Sequence, residues 1–300
     1  MTAPLFVGLD AGGSKTCALA TTGAGEPLRL DGPGAHALRD GPEAAAGVCL
    51  ELIAQAQDAF HSATLAGVCV GMAGAGREEE RARTEQRLRT HLGEHVALAL
   101  VHDADIALEA AFGAGSGTIV IAGTGSIVYA RTEDGRSLRA GGWGALLGDD
   151  GSGTALGRGA LRAALAMRDG GPPTTLAERL AEVHRLDSAE AIVQAVQGGA
   201  VRLAMFAPLV LEAAANDDWA AHQIIARETN ALAQQAGWVA TRGGEALAQR
   251  VAFTGGLSGE AIYAEALAGA LARYLPGWEV RRSAREPAEG ALARAQRLPA

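Results

Sequence analysis

The sequence is poor in aromatic residues and cysteine, and each shortage argues against a class of protein. Only 4% of the 300 residues are aromatic, whereas the 41 glycines indicate many tight backbone turns. The three cysteines, Cys17, Cys49 and Cys69, are odd in number and lack a C-x-x-C spacing. They predict neither a disulfide framework nor a thiolate metal site, and they are typical of a reducing cytosol.

Basic residues form no extended stripe, and apolar residues form no long run. With 26 Lys+Arg against 34 Asp+Glu the net charge is -8, which argues against nucleic acid as a partner. No stretch approaches the ~18 apolar residues of a membrane span, and the N-terminus has no positively charged start of a signal peptide. We therefore expect a cytoplasmic protein without a membrane partner.

Lysine is almost absent: Lys15 is the only lysine in the sequence, and every other Lys+Arg residue is an arginine. A single lysine retained against this bias hints that a compact ammonium group is needed at that position. What the sequence does contain is 48% hydrophobic and 20% charged residues, a composition of folded chains. A length of 300 residues favours two domains.

The pattern of apolar runs occurs twice along the chain. Residues 5–30 read as three short strands joined by glycine turns, and helices then alternate with two more strands up to residue 112. Three strands with glycine turns return over residues 118–140, followed by long helices and by strands at 251–254 and 278–282. This repetition predicts an internal duplication, with the domain join in the turn at 113–117.

The first candidate site is the glycine-rich segment GLDAGGSKT at residues 8–16, between two predicted strands. Glycines let backbone N–H groups approach a phosphate, and hard cations prefer carboxylate oxygen, so Asp10 is the candidate ligand for Mg²⁺. The candidates for phosphate contact are the residues of the turn itself, Gly12, Gly13, Ser14, Lys15 and Thr16. An ordinary β-turn would explain the same residues. A P-loop would not, because Ser14 separates glycine from lysine and a strand follows.

Two further glycine turns lie in the second half of the chain. IAGTGS at 121–126 occupies the equivalent turn of the repeat, so the two turns together predict a clamp on a phosphate chain. FTGGLS at 253–258 places Gly255 and Gly256 after a strand, with Ser258 beyond them, where close backbone approach suits an adenosine. A simple strand–helix turn remains the alternative for this segment.

Asp103 is the candidate for the chemical step. It follows an apolar strand and begins a predicted helix. An aspartate within roughly 3 Å of a sugar hydroxyl can orient it and accept its proton during phosphoryl transfer. The alternative is that Asp103 only caps the helix, although Asp105 is the better cap candidate and His102 reads as an ordinary residue at a strand end.

A third glycine-rich zone, GGWG at 141–144 and GDDGS at 148–152, precedes a long predicted helix. Carboxylates accept hydrogen bonds from sugar hydroxyls and an indole offers an apolar platform, so Asp149, Trp143 and Gly144 are candidates for sugar contact. Asp150 or Ser152 would cap the helix.

Together these segments resemble the N-acetylglucosamine kinase and BadF/BadG/BcrA/BcrD ATPase group of the actin–hexokinase superfamily. The matching segments occur in the family's order and span nearly the whole chain. They are GLDAGGSKT at 8–16, GMAGAGR at 71–77, HDADIALEAA at 102–111, IAGTGS at 121–126, GGWGALLGDDGSG at 141–153, FTGGLS at 253–258 and EPAEGALARA at 286–295.

The resemblance implies an α/β fold with two ribonuclease-H-like domains, as in actin-like ATPases, around an ATP cleft. The N-terminal domain would span 1–115 and the C-terminal domain 116–300, with the last helix, about 287–297, packing back on the first domain. ATP and Mg²⁺ are the implied cofactors, and a homodimer is the plausible assembly.

The implied activity is ATP-dependent phosphorylation of an amino sugar, N-acetylglucosamine at its 6-hydroxyl or glucosamine. The resemblance makes Asp103 the general base, which also contacts the sugar. It places Gly12, Gly13, Thr124, Gly255 and Gly256 near ATP. It places Gly125, Ser126, Trp143 and Asp149 near the sugar.

The chain departs from the family pattern mainly around the sugar. The family often has Asn in the loop after the third strand, where this chain has GPGAH at 32–36 and His36 is the expected occupant. Asp150 stands where a Glu is usual, and Ile127 replaces a polar residue found in some members. The motifs thus support a sugar kinase more strongly than they support N-acetylglucosamine as its substrate. Glucosamine and an N-acetylated muramic sugar are the alternative substrates.

Two other functions fit the same superfamily. An ATPase activator of 2-hydroxyacyl-CoA dehydratases needs thiolate ligands for an iron–sulfur cluster, yet no cysteine follows Cys69. A non-catalytic sugar-sensing protein would not need Asp103, which is present.

Overall fold

The structure, a computed structural model, describes residues 2–23 and 25–299. The described strands are, in chain order, β1 (Pro4–Ala11), β2 (Lys15–Thr21), β3 (Leu28–Pro33), β4 (Thr64–Met72), β5 (Ala97–His102), β6 (Gly117–Ala122), β7 (Ser126–Arg131), β8 (Ser137–Gly141), β9 (Arg250–Thr254) and β10 (Glu279–Arg282). The described α-helices are α1 (Ala37–Asp40), α2 (Pro42–Ala59), α3 (Glu78–Leu92), α4 (Asp103–Phe112), α5 (Gly153–Arg168), α6 (Leu176–His184), α7 (Ala189–Gln197), α8 (Ala207–Ala215), α9 (Trp219–Gly243), α10 (Ala261–Tyr274) and α11 (Pro287–Ala295).

These elements form two compact units. The first unit consists of the chain up to Gly115 together with the segment that begins at Ser283. The second unit is the continuous segment Ser116–Arg282. The second unit therefore ends at Arg282, and α11 lies in the first unit.

The two units repeat one sheet topology, which confirms the predicted duplication. The first sheet has the order β3-β2-β1-β4-β5 and the second the order β8-β7-β6-β9-β10. In each sheet the first three strands form an antiparallel meander, and the remaining two run parallel to its first strand. The fold is the predicted α/β fold of two ribonuclease-H-like sheets.

Strand register places the candidate site residues of each sheet at the same edge, where the parallel strands have their carboxyl ends. In the first sheet Asp10 pairs with Gly71 and Met72 pairs with His102, so β1, β4 and β5 end together. In the second sheet Ile121 pairs with Thr254, so the turns after β6 and β9 meet at the same edge. Ligands of open α/β sheets bind outside the carboxyl ends of parallel strands.

Helix α11 packs so closely on the first sheet and on α4 that backbone contacts backbone at two glycines. A Cβ added at Gly8 on β1 would lie 2.0 Å from the backbone N of Leu292, and one added at Gly290 would lie 2.0 Å from the carbonyl O of Ile106 on α4. Leu292 packs with Cys17 and Leu19 of β2, which are buried. Only glycine fits at these two positions, because any side chain would enter the backbone of a neighbouring element.

The second unit carries a large helical insertion between β8 and β9, formed by α5 to α9. Residues 201–215 do not form one continuous helix, because Leu203–Phe206 forms a 3₁₀ turn and α8 begins at Ala207. Pro208 explains the break, since proline lacks an N–H and fits only the first turn of a helix. Among the residues described, no helix combines the length and apolar content that a bilayer crossing requires.

Candidate functional site

The carboxylate of Asp103 stands at the end of the first sheet and is held by donors on one oxygen. Asp103 is the first residue of α4, and the helix N-cap is His102, whose Nδ1 lies 3.1 Å from the N of Ala104. Oδ1 of Asp103 accepts the Ala104 N–H at 2.8 Å and lies 2.6 Å from Nδ1 of His102. Burial acts to raise the pKa of Asp103, but the His102 and Ala104 hydrogen bonds outweigh it, so the pKa lies below its usual value. Asp103 is therefore ionised at neutral pH. Asp105, the candidate for the cap or the first turn, lies in the first turn of α4, and the N-cap is His102.

Asp10 lies at the same edge of the same sheet, near the end of β1, and its pKa shifts in the direction opposite to that of Asp103. Burial, and then the negative charge of Asp103, raise the pKa of Asp10 to about 7, although Lys15 acts to lower it. A half-buried carboxylate beside another carboxylate is stabilised in its ionised form by a bound cation.

The donor set fits Mg²⁺ bound together with a phosphate. Among the residues described, no group of three or more His, Cys, Asp or Glu side chains surrounds a possible metal position. Mg²⁺ is usually held by one or two carboxylates together with substrate phosphates and waters, not by a cage of side chains. Asp10 therefore fits a metal that arrives with a phosphate ligand.

The turn after β1 is packed from one side by the segment that follows β3. Gly12 donates to the carbonyl of Lys15 at 3.0 Å, and the carbonyl of Gly12 accepts from Ala35 at 2.9 Å. The carbonyl of Gly13 accepts from Nη1 of Arg39 at 2.6 Å, while Ser14 and Lys15 are exposed. With carbonyl oxygens of the turn engaged by protein donors, fewer of them are left to repel an anion.

Thr16 has a different role from the one predicted from the sequence. Its side chain is fully buried, and its hydroxyl donates to the carbonyl of Pro33 at 2.8 Å. This hydrogen bond links β2 to β3, so the side chain of Thr16 stabilises the strands that follow the turn.

His36 sits directly beside this turn. It caps α1, and its Nδ1 accepts the N–H of Arg39 at 3.2 Å. Burial and the charge of Arg39 lower the pKa of His36. A neutral imidazole that accepts at Nδ1 carries its proton at Nε2, so His36 offers a fixed N–H donor.

In the second unit the turn after β6 is anchored by the start of α5. The carbonyl of Gly123 accepts from Gly153 at 2.8 Å, and the carbonyl of Thr124 accepts from the hydroxyl of Thr154 at 2.7 Å. The side chain of Thr124 is exposed. The start of α5 thus fixes the backbone of this turn.

The turn after β9 packs against the end of β6. A Cβ added at Gly255 would lie 2.3 Å from the carbonyl O of Ala122, and one added at Gly123 would lie 4.0 Å from the N of Gly256. Ser258 is buried, and both its N–H and its hydroxyl donate to the carbonyl of Gly255. The structure therefore brings the second and third glycine turns together, with Ser258 as a brace within the turn.

Asp149 forms a separate polar cluster in the second unit. It has a positive φ of 63°, rare for a residue with a side chain, and it is only 8% exposed. Burial raises the pKa of Asp149, although backbone N–H groups of Ser126 and Gly144 donate to its carboxylate. A Cβ added at Gly125 would lie 3.0 Å from Oδ2 of Asp149. Gly125, Ser126, Gly144 and Asp149 are thus brought together, with a glycine leaving space beside the carboxylate.

Trp143 stands next to this cluster but makes its own contact. Its side chain is 66% exposed, and the Arg139 guanidinium lies 4.5 Å from the ring centroid. Asp150 has a structural role instead, because its Oδ2 accepts from Gln235 at 2.8 Å. Neither Arg139 nor Gln235 could be found from the sequence, because both contacts depend on tertiary structure.

Comparisons with known proteins found relatives of this chain by sequence and by fold. The BadF/BadG/BcrA/BcrD ATPase family matches residues 7–295. An N-acetyl-D-glucosamine kinase of Dictyostelium discoideum is 31% identical over 248 residues, 77% of this chain and 78% of that protein. An N-acetylmuramic acid/N-acetylglucosamine kinase of Clostridium acetobutylicum is 42% identical over 127 residues, which span 42% of this chain and 41% of that protein.

A solved structure gives the same result for the fold. The crystal structure of a candidate N-acetylglucosamine kinase from Chromobacterium violaceum superposes with a TM-score of 0.78 at 25% sequence identity. The match covers 96% of this chain and 97% of that one.

Proposed function

The chain belongs to the BadF/BadG/BcrA/BcrD ATPase family, and from that premise we propose that it is a kinase that transfers the γ-phosphoryl group of ATP to an amino sugar. The acceptor is the 6-hydroxyl of N-acetylglucosamine or of a close N-acetylated relative. Two relatives support this substrate class, since they are named for N-acetylglucosamine and one also for N-acetylmuramic acid. Mg²⁺ and a homodimer belong to the proposal on the strength of the sequence resemblance, and a cytoplasmic location belongs to it on the strength of the sequence composition.

The observation that carries the proposal is the state of Asp103. Its carboxylate is held by donors on Oδ1 and has a pKa below the usual value, at the sheet edge that also carries Asp10. A general base must be ionised and fixed in place before the hydroxyl reacts. The alternative role for Asp103, that of the helix cap, is taken by His102, and Asp103 is the first residue of α4.

In the proposed reaction Asp103 orients the acceptor hydroxyl and takes its proton as the oxygen attacks the γ-phosphorus. Asp10 would hold Mg²⁺, which when bound neutralises charge on the phosphate oxygens. Lys15 and the glycine turns at 12–13, 123–125 and 255–256 bind the nucleotide.

The acceptor is proposed to contact His36, Asp103 and the Asp149 cluster. Asp149 accepts hydrogen bonds from sugar hydroxyls, and Gly125 leaves room beside it. The Nε2–H of His36 suits an acceptor oxygen, such as the carbonyl of an acetamido group. Trp143 offers an exposed aromatic face.

The burial of the three cysteines argues against the alternative function, an ATPase activator with an iron–sulfur cluster. Cys17, Cys49 and Cys69 are all buried. Ligands of an iron–sulfur cluster shared between subunits must be able to reach it, so a sugar acceptor fits these residues better than electron transfer.

A panel of amino sugars tests the proposal. Purified protein is incubated with ATP, Mg²⁺ and glucosamine, N-acetylglucosamine or N-acetylmuramic acid, and ADP release and the product are measured. We expect phosphorylation of an N-acetylated sugar, and a loss of about 10²–10⁴-fold in kcat for Asp103→Asn with nucleotide binding retained. Turnover of Asp103→Asn near the wild-type rate, or ADP release without a phosphorylated sugar, would contradict the proposal.

A further inference from the structure

His102, the last residue of β5, contacts the proposed base directly. Its Nδ1 lies 2.6 Å from Oδ1 of Asp103. A nitrogen and an oxygen this close must share a proton. Because an imidazole is more basic than a carboxylate by roughly two to three pKa units, that proton belongs to Nδ1 of His102.

The neighbouring backbone amide supports this placement of the proton. The N–H of Ala104 lies 2.8 Å from Oδ1 of Asp103 and 3.1 Å from Nδ1 of His102. If Nδ1 is protonated it cannot accept this N–H, which then donates to the nearer oxygen. Oδ1 thus receives two donors, one from the side chain of His102 and one from the backbone of α4.

We propose that His102 is a positioning residue of the phosphoryl transfer, an inference that rests on the function proposed above. Its Nδ1–H and the Ala104 N–H fix Oδ1 of Asp103 and leave Oδ2 to meet the acceptor hydroxyl. The hydroxyl oxygen forms a bond to the γ-phosphorus while the bond from that phosphorus to the β,γ-bridging oxygen breaks. The hydroxyl proton passes to Oδ2, and His102 keeps its own proton throughout.

The orientation of the His102 ring is restricted by its surroundings. The His102 side chain is only 22% exposed, and its Nδ1 lies within hydrogen-bond distance of both Oδ1 of Asp103 and the N of Ala104. A ring confined in this way can hold a carboxylate rotamer, which a mobile side chain cannot do without an entropic cost.

Three ionisable groups influence Asp103 from different elements. His102 lies on β5, His36 precedes α1, and Asp10 lies on β1. The hydrogen bond from His102 acts to lower the pKa of Asp103, and so does the interaction with His36. Loss of the His102 donor should therefore raise the pKa of Asp103 and move the acidic limb of the activity profile to higher pH.

The test compares two replacements at the same position. His102→Asn places an amide N–H at the same number of bonds from Cβ as Nδ1, whereas His102→Leu has no donor. With N-acetylglucosamine as acceptor, we expect kcat of His102→Leu to fall about 10–100-fold, the effect of losing an orienting partner. KM for ATP should stay within about twofold, since ATP makes no proposed contact with His102.

The pH profile separates positioning from a structural role. In His102→Leu the acidic limb of kcat/KM should move to higher pH, while His102→Asn should keep both its position and most of the rate. His222→Leu, at an exposed position on α9, is the matched control and should behave like wild type. If His102→Leu does not fold, His102→Gln replaces it, because its amide nitrogen is one bond too far from Cβ.

The outcomes are distinct. Wild-type kcat and an unshifted pH profile in His102→Leu, or equal losses in His102→Leu and His102→Asn, would overturn this inference alone. A wild-type protein that phosphorylates no sugar would overturn the proposed function and this inference with it.

Discussion

Asp10 lies near the end of β1 and Asp103 directly follows β5, at the same edge of the first sheet. Their pKa values nevertheless shift in opposite directions. Asp103 has two donors on one oxygen, whereas burial and the charge of Asp103 raise the pKa of Asp10 to about 7. The difference follows from hydrogen bonding, because a carboxylate is stabilised by N–H donors and destabilised by a neighbouring like charge. The residue with the raised pKa, Asp10, is the one proposed to bind a cation.

Replacement of Asp10 by Asn should therefore stabilise the metal-free protein. The folded pKa of about 7 lies above the unfolded value of about 3.9, so ionised Asp10 disfavours folding increasingly as the pH rises from about 4 to 7. The advantage of Asp10→Asn should be absent near pH 4 and reach an order of 1–3 kcal/mol above pH 7.

Chemical denaturation in EDTA between pH 4 and 8 measures this difference, and the same variant should lose Mg²⁺-dependent turnover. A stability difference that does not change with pH would contradict the elevated pKa.

His36 should affect the sugar and not the nucleotide. We expect His36→Ala to raise KM for the sugar by about tenfold, since a hydrogen bond is worth roughly 1 kcal/mol or somewhat more, and to leave KM for ATP unchanged. His36→Ser keeps a helix-capping side chain without the imidazole N–H and is the matched control for the loss of the cap. A change in KM for ATP with an unchanged ranking of sugars would reject this role.

At the scale of elements, the periodicity of apolar residues predicted most strands and helices to within a few residues. Helix α1 cannot be predicted in this way, because four residues are too few for a periodic pattern. Periodicity also cannot locate the start of α8, which is set by Pro208 in its first turn. The glycine turns and Asp103 could be recognised because their signals are local in sequence. His102, Arg39 and Gln235 could not, because their partners are set by strand ends and loop packing.

The packing of α11 allows a sharp test at this scale. Gly290→Ala introduces a Cβ 2.0 Å from the carbonyl O of Ile106, and the backbone must move to admit it. Such overpacking should lower the free energy of unfolding by about 1–3 kcal/mol or more. Gly47→Ala on α2 has open space around its Cβ and should raise it by about 0.5–1 kcal/mol.

Urea denaturation of the two variants and the wild type measures both effects. Equal stability of Gly290→Ala and wild type would contradict the close approach of α11 to α4.

At the scale of the whole molecule, the two units differ in how the chain builds them. The second unit is one continuous segment, whereas the first combines the chain up to Gly115 with the segment from Ser283. Without α11, the apolar surface formed by Leu19, Cys69 and Ile106 would be exposed, since these residues pack against that helix.

A fragment spanning 116–282 should therefore unfold cooperatively on its own. A fragment spanning 1–115 should aggregate or remain partly unfolded, and its cooperative unfolding should be restored by fusing residues 283–299 through a flexible linker. Calorimetry and circular dichroism on the three fragments test this, and a stable, cooperative 1–115 fragment would count against it.

The divided first unit has a consequence for biosynthesis. Ribosomes add roughly 5–20 residues per second, and domains usually fold in the order in which they emerge. Here the opening strands leave the exit tunnel first but must wait many seconds for the helix that covers them, while the middle of the chain can reach its native state earlier. The order of folding is then reversed relative to the order of synthesis, and the nascent first sheet is the part most in need of chaperone protection.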